Sequence, residues 1–317
     1  MHSTLILGAT GFLGPHLVAA AFQESQAEAT MADPFGPPVM AVGRQVEEAP
    51  RYTNPRDGAE WIAQDLEPAG AVQALLEELK PSHVILAAAM SRAADCEKDP
   101  EAAHRINVEV PGEVATWCAA AGARLVFLST DQVFGGQAAP KKGYAEDAEP
   151  SPVQVYGRTK WEGEQRVLKA HPNALVVRLP LLYGDSGGRG LGASDSLLQA
   201  VDEGEVPILF EDEFRTPLEV TNAAQVLVEC LNSDLTGILH VASKQRVDRY
   251  ALGLAILDAM GLSKEQCSEL IQAGLQADLE SGAPRAGDVS LDASRASKCL
   301  ETALMGIRRG LETSMGI

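Results

Sequence analysis

Thr4-Leu5-Ile6-Leu7-Gly8-Ala9-Thr10-Gly11-Phe12-Leu13-Gly14 is the stretch that decides the fold. Its four apolar or β-compatible residues read as a short strand that stops at a glycine run. Leu13, Leu17, Val18 and Ala21 then recur at three- and four-residue spacing, the mark of a helix. Strand, glycine turn and helix in that order open a βαβ unit. In that setting glycines let the turn close and bring backbone N–H groups and the helix N-terminus up to a pyrophosphate. The spacing is Gly-x-x-Gly-x-x-Gly, not Gly-x-Gly-x-x-Gly. Gly8, Gly11 and Gly14, with Thr10, Phe12 and Leu13 between them, are therefore the expected dinucleotide contacts.

Working outward, residues 23–37 read as a helix end and a surface excursion, after which Pro38–Val42 forms a second strand ending in Gly43-Arg44-Gln45. An acid at that strand end would hold the ribose 2′-OH of NAD, whereas an Arg suits the 2′-phosphate of NADP. Arg44 favours NADP, with NAD and a merely solvated Arg44 as the alternatives. A third strand at Ala59–Ala63 closes on Asp65 and Leu66, where Asp65 either meets the adenine ring or caps a helix at 69–79. The fourth strand, His83–Ala89, ends in Ala87, Ala88 and Ala89, small enough for a cofactor to lie against the backbone. A helix at 101–121 carries Asn107, either a satisfied core amide or a relay. Arg124–Leu128 is a fifth strand and delivers Ser129, Thr130, Asp131 and Gln132 to the same rim. The pattern predicts an α/β fold, a Rossmann-type doubly wound parallel sheet. A smaller, mostly C-terminal α/β substrate domain completes it. The boundary is expected after residue 183, with a cofactor domain at 1–183, substrate segments at 184–317, and a late strand near 206–242 able to return to the first sheet.

Tyr156-Gly157-Arg158-Thr159-Lys160 carries the chemistry. In a helix, residues four apart share a face with Cβ atoms roughly 5–6 Å apart. The lysine charge then favours the tyrosinate, and the phenol can exchange a proton near neutral pH. A parallel sheet sends Thr130 to the rim that receives this pair, and a hydroxyl, a phenol and an ammonium beside a nicotinamide suit carbonyl reduction.

Composition narrows the class. The chain has 317 residues, 45% hydrophobic and 5% aromatic, enough for a large α/β domain and a companion. Its net charge of −18, from 26 basic and 44 acidic residues, repels nucleic acid and anionic membrane alike. Five scattered cysteines without a Cys-x-x-Cys pair predict free thiols in a reducing compartment and no metal site. No apolar run approaches the roughly 18 residues that span a bilayer, and no leader is visible, so a soluble cytoplasmic protein is expected. A homodimer is compatible with these features. The glycine-rich run at 184–192 reads as a lid or a linker. Helical patterns at 194–203, 220–232, 247–260 and 263–273, with strands near 206–210 and 238–242, would build the smaller domain.

The chain resembles the extended short-chain dehydrogenase/reductases, and within them the dTDP-4-dehydrorhamnose reductases. The residues that carry this are 8–14, Leu128–Gly136, Tyr156–Lys160 with Glu164, Val177–Gly184, Phe214–Pro217, Gly237–Ala242 and Asp288–Asp292. The resemblance implies an NAD(P)H-dependent reductase of a 4-keto sugar nucleotide, with Tyr156 as proton donor, Lys160 its partner and Thr130 the hydroxyl on the substrate carbonyl. It implies Gly8, Gly11 and Gly14 at the pyrophosphate, Pro180 at the nicotinamide, and Ser129, Arg215 and Arg285 toward the substrate. Gln132 stands where the reductases have Tyr and where related dehydratases have an acid-base Glu, which argues against dehydration; Ala286 replaces a Pro. A non-catalytic NADP-binding regulatory subunit of the same fold and a sugar-nucleotide epimerase are the alternatives.

Overall fold

The computed structural model describes residues 3–29, 36–48, 58–137, 139–278 and 284–316. In chain order they form β1 (Thr4–Leu7), α1 (Gly14–Ala27), β2 (Val39–Gly43), β3 (Ala59–Ala63), α2 (Ala71–Leu79), β4 (His83–Leu86), α3 (Ala93–Lys98), α4 (Pro100–His104), α5 (Val110–Ala121), β5 (Arg124–Thr130), α6 (Val155–Ala170) and β6 (Leu175–Leu179). There follow β7 (Leu182–Tyr183), α7 (Gly192–Asp202), β8 (Ile208–Phe210), β9 (Phe214–Arg215), β10 (Leu218–Glu219), α8 (Val220–Leu231), β11 (Gly237–His240), β12 (Val247–Asp248), α9 (Arg249–Ala259), α10 (Lys264–Leu270), β13 (Gln272–Gly274), α11 (Ala296–Cys299) and α12 (Ile307–Met315). Two compact units result. The first comprises Met1–Ser129, Val155–Arg178 and Ala224–Leu239; the second comprises Thr130–Gln154, Leu179–Ala223 and His240–Ile317.

The first unit is built on a seven-strand parallel sheet in the order β11-β6-β5-β4-β1-β2-β3, the expected Rossmann-type arrangement. β1 lies between β2 and β4, paired Leu5 to Met40 on one side and Leu5 to Val84 on the other. Strand order therefore reverses between β1 and β4, the place where open α/β sheets bind ligands beyond the strand ends. Leu5–Leu7, Val84–Leu86 and Leu125–Phe127 are entirely buried. Such unbroken apolar runs are what a parallel sheet covered on both faces requires. On one face Leu5, Leu7, Val84, Leu86, Leu125 and Phe127 join Val110, Val114 and Cys118 of α5 and Val167 of α6 in a single core.

Local chemistry redraws several expected elements. The helix expected at 101–121 is interrupted by a π turn, Arg105–Glu109, between α4 and α5. Helix α2 begins behind Gly70, whose φ of 81° turns the chain straight into it. Asp65 is not its cap; the Asp65 carboxylate instead accepts a hydrogen bond from the Glu67 N–H at 3.1 Å. β4 stops at Leu86, so Ala87–Ala89 follow the strand. The pattern at 263–273 divides into α10 and β13, and β13 pairs with β8, not with the large sheet. Residues 30–35 of the expected surface excursion lie outside the described residues.

In the second unit β10 and β7 run parallel, β12 and β9 antiparallel. Its apolar cluster includes Tyr183, Leu197, Leu252, Ile256, Ile271, Ile307 and Leu311. The glycine-rich run is tied to α7 at its start: the Gly184 N–H donates to Ser194 Oγ and the Ser186 N–H to Asp195 Oδ2, both at 2.8 Å. Among the described residues no helix is long and apolar enough to cross a membrane, and no group of three or more His, Cys, Asp or Glu is placed to hold a metal ion.

Helix α6 approaches the π turn at Gly163, where a Cβ would stand 2.2 Å from the Asn107 carbonyl oxygen. Backbone cannot yield as a side chain can. Gly163→Ala should therefore lower unfolding stability by about 1–3 kcal/mol, the usual cost of overpacking, as read by urea titration.

Candidate active site

The glycine turn is shaped by close approach. Gly8 has a φ of +93°, and a Cβ there would meet the Ala88 nitrogen at 2.4 Å; a Cβ on Gly14 would meet the Ala9 carbonyl at the same distance. Gly8 and Ala9 donate to the Val42 carbonyl at 2.9 and 2.8 Å, which hangs the turn on β2. Gly43 packs against the Thr10 side chain, so Arg44, exposed, leaves β2 right beside the turn. The first turn of α1 contains no acid and receives no side-chain cap. Its amides and positive dipole end suit a phosphate. The turn also brings Ala87 and Ala88 against Gly8, while Asp65 and Leu66 follow β3, Asp65 exposed and Leu66 buried.

Helix α6 carries Tyr156 and Lys160. Tyr156 is half-buried against Cys96, Ala103 and Val155. Lys160 is 2% exposed, with its Nζ 4.2 Å from the centre of the Phe127 ring. Among the described residues its ammonium has no hydrogen-bond or ion-pair partner. Burial pushes its pKa down to about 7, against the opposing pull of Glu164 and then Cys96.

One turn on, Glu164 is fully buried and clamped by Arg178 of β6, Nε to Oε1 at 2.9 Å and Nη2 to Oε2 at 2.7 Å. Ser129 Oγ donates to the same carboxylate at 2.5 Å. Ser129, expected near the substrate, thus spends its hydroxyl inside the first unit. Asn107 is a satisfied core amide: its side chain makes two bonds with the Met90 backbone and donates to Thr159 Oγ1, each at 3.0 Å. These bonds fix the rotation of α6. The sequence shows Glu164 and Arg178 as motif residues but says nothing of their pairing.

In the second unit Thr130 ends β5, with Oγ1 accepting from the Gln132 N–H and donating to Asp131 Oδ1, both at 3.2 Å. Asp131 is almost wholly buried, and its Oδ2 has no hydrogen-bond partner among the described residues. Burial pushes its carboxyl up to about 6, opposed by the Arg215 guanidinium and by Thr130. Arg215 Nε lies 3.7 Å from Asp131 Oδ2. The terminal nitrogens of Arg215 bond Glu213 and the carbonyls of Phe214, Gly287 and Ala286. Arg215, expected to grip a diphosphate, is thus committed to holding its own unit together. Arg285 donates only Nε to Glu213, at 2.9 Å, and remains substantially exposed. Pro180 is buried directly behind β6.

A parallel Rossmann sheet with a glycine turn after β1 and a Tyr-x-x-x-Lys helix after β5 is the build of an extended short-chain dehydrogenase/reductase. More narrowly, the chain belongs to the RmlD substrate-binding domain family, which matches residues 1–316. A probable low-salt glycan biosynthesis reductase, Agl14 of Haloferax volcanii, is 30% identical over 291 residues, covering 91% of this chain and 89% of the relative. The methionine adenosyltransferase 2 subunit beta of Xenopus tropicalis is 30% identical over 313 residues, covering 93% and 81%. The crystal structure of dTDP-4-dehydrorhamnose reductase from Bacillus anthracis in complex with NADP has the same fold, at a TM-score of 0.78, 22% identity and 99% coverage of both chains.

Removing one member of a buried ion pair leaves a desolvated charge. Glu164→Gln should therefore cost about 3–5 kcal/mol, whereas Glu164→Leu combined with Arg178→Met should cost far less. Equal losses for the two variants in urea unfolding would contradict the buried pair.

Proposed function

We propose that this chain is an NAD(P)H-dependent reductase of a 4-keto sugar nucleotide, similar to dTDP-4-dehydrorhamnose reductase. The observation that carries the reading is Lys160, buried one turn from Tyr156 on α6, its ammonium over Phe127 and without an acceptor among the described residues. A buried ammonium of that kind needs acceptors from a ligand, and ribose hydroxyls supply them. Gly8, Gly11 and Gly14, with the amides of Thr10, Phe12 and Leu13, hold the diphosphate of the dinucleotide. Asp65, Leu66 and Ala87–Ala89 line its adenosine half, and Pro180 packs at the nicotinamide. Arg44, with no acid at the end of β2, favours the 2′-phosphate of NADP over NAD.

When bound, the dinucleotide supplies the hydride that reduces the substrate carbonyl. Tyr156 donates its phenolic proton to the carbonyl oxygen, and Thr130 hydrogen-bonds that oxygen. Lys160 makes the proton easier to release and orients the ribose. Arg285, whose terminal nitrogens make no hydrogen bond among the described residues, is the better of the two expected arginines for a substrate phosphate. The five free thiols fit a reducing cytoplasm.

A second reading is favoured by one observation. The similarity to methionine adenosyltransferase 2 subunit beta equals that to the glycan biosynthesis reductase in identity, 30% for each. A non-catalytic subunit would copurify with an enzyme and leave NADPH unoxidised across a panel of keto sugar nucleotides.

For the reductase, Tyr156→Phe should lower NADPH oxidation by about 10²–10⁴-fold, the usual worth of a placed acid, while cofactor affinity changes little. Turnover as fast as in the unaltered protein would rule out this mechanism.

A further inference from the structure

The π turn at Arg105–Glu109 holds a different part of the first unit on each side. Residues two apart on a helical turn project to nearly opposite sides. Asn107 faces α6, bonded to Thr159. Arg105 reaches the segment that leaves β3: its Nε donates to the Glu67 carbonyl at 2.8 Å, and Nη2 meets the Pro68 carbonyl at 3.5 Å. At the far end of the guanidinium, Nη1 donates to Glu113 at 2.5 Å and to Glu109 at 3.2 Å. The Arg105 side chain is only 16% exposed.

An exposed ion pair between Arg105 and Glu109 would contribute little and need no further reading. What sets Arg105 apart is where its Nε edge goes. A guanidinium is a rigid planar fork, so carboxylates that fix its end also fix the direction of its edge. Here that edge is spent on main-chain carbonyls 37 and 38 positions away in sequence. The segment they belong to has few other ties. β3 stops at Ala63, and among the described residues the other hydrogen bonds of Asp65, Leu66 and Glu67 stay local: Gln64 Nε2 donates to the Asp65 carbonyl at 2.7 Å, and the Glu67 N–H to the Asp65 carboxylate at 3.1 Å. Leu66 adds the burial of its side chain in the core. Hydrogen bonds weaken steeply once their direction is lost, so a ring bound along this segment depends on how firmly its backbone is held.

We propose that Arg105 is a positioning residue for the adenosine half of the dinucleotide, holding Asp65 and Leu66 in place from the π turn without touching the ligand itself. The inference rests on the cofactor reading above, which assigns Asp65 and Leu66 to that half. Glu113 and Glu109 brace the guanidinium, and the guanidinium braces the segment. A lysine cannot replace it. Its ammonium can pair with the two carboxylates but has no second edge to offer the Glu67 carbonyl.

The test is titration of the full chain, freed of dinucleotide, with NADPH, adenosine 2′,5′-bisphosphate and reduced nicotinamide mononucleotide, for the unaltered protein, Arg105→Gln, Arg105→Lys and Glu113→Gln. Arg105→Gln should weaken NADPH and the bisphosphate by the same factor, roughly 10–100-fold, the scale of a hydrogen bond from a charged donor, and leave the mononucleotide unchanged. Arg105→Lys should show the same loss although the charge is kept. Glu113→Gln, which loosens only the far end of Arg105, should show a smaller loss for the same two ligands. Undiminished binding of the bisphosphate to Arg105→Gln overturns this inference alone, as does full recovery in Arg105→Lys. An equal loss of mononucleotide and bisphosphate marks a general disturbance of the fold and overturns it too. An unaltered protein that binds none of the three ligands overturns the cofactor reading and this inference together.

Discussion

The buried bond between Glu164 and Arg178 is the constraint on which the first unit's chemistry depends. Both side chains are out of water, 0% and 1% exposed, and burying two charges costs several kcal/mol each unless the geometry is good. Here it is good: two parallel N–H···O bonds, with Ser129 donating a third to the carboxylate. The clamp joins α6 to the ends of β5 and β6. Lys160, one turn earlier on the same helix face, is thereby fixed over Phe127. Asn107, bonded to Met90 and Thr159, and the glycine contact at 163 hold the neighbouring face of the helix. The lysine is thus held in a desolvated place by neighbours that leave its own donors free.

The second unit handles charge differently. Its strands are two or three residues long and contribute few ladder bonds, so side chains bridge them. Arg215 alone connects Glu213, Asp131 and three backbone carbonyls across β9 and the segment at 286–287. An arginine used in this way acts as a structural strut.

What the sequence made legible follows from how local each feature is. The glycine turn, the strands beside it and the Tyr156-Lys160 spacing are set by residues within a turn or a strand of one another, and they stand where expected. The interruption of the helix at 105–109 was hidden, because a π turn inserts one residue without disturbing the apolar pattern around it. The bond between Ser129 and Glu164 is invisible to local reading because the two residues lie 35 positions apart. The resemblance points Arg215 toward the substrate, yet its bonds go to Glu213 and to carbonyls more than 70 positions off. Glu213, two residues before Arg215 and so on the same side of an extended chain, was the available signal.

The most direct test of this account is the titration of Lys160 itself. In the protein freed of dinucleotide, with lysines labelled by ¹³C at Cε, the resonance lost on Lys160→Arg should titrate near pH 7, because burial opposes its charge and nothing among the described residues bonds its ammonium. The folded form then binds fewer protons than the unfolded chain between about pH 7 and the ordinary lysine range near 10.4, so this one group should also make stability rise with pH across that window. A Lys160 resonance that titrates with the exposed lysines, above pH 10, would contradict the buried, unpaired ammonium on which the proposed chemistry rests.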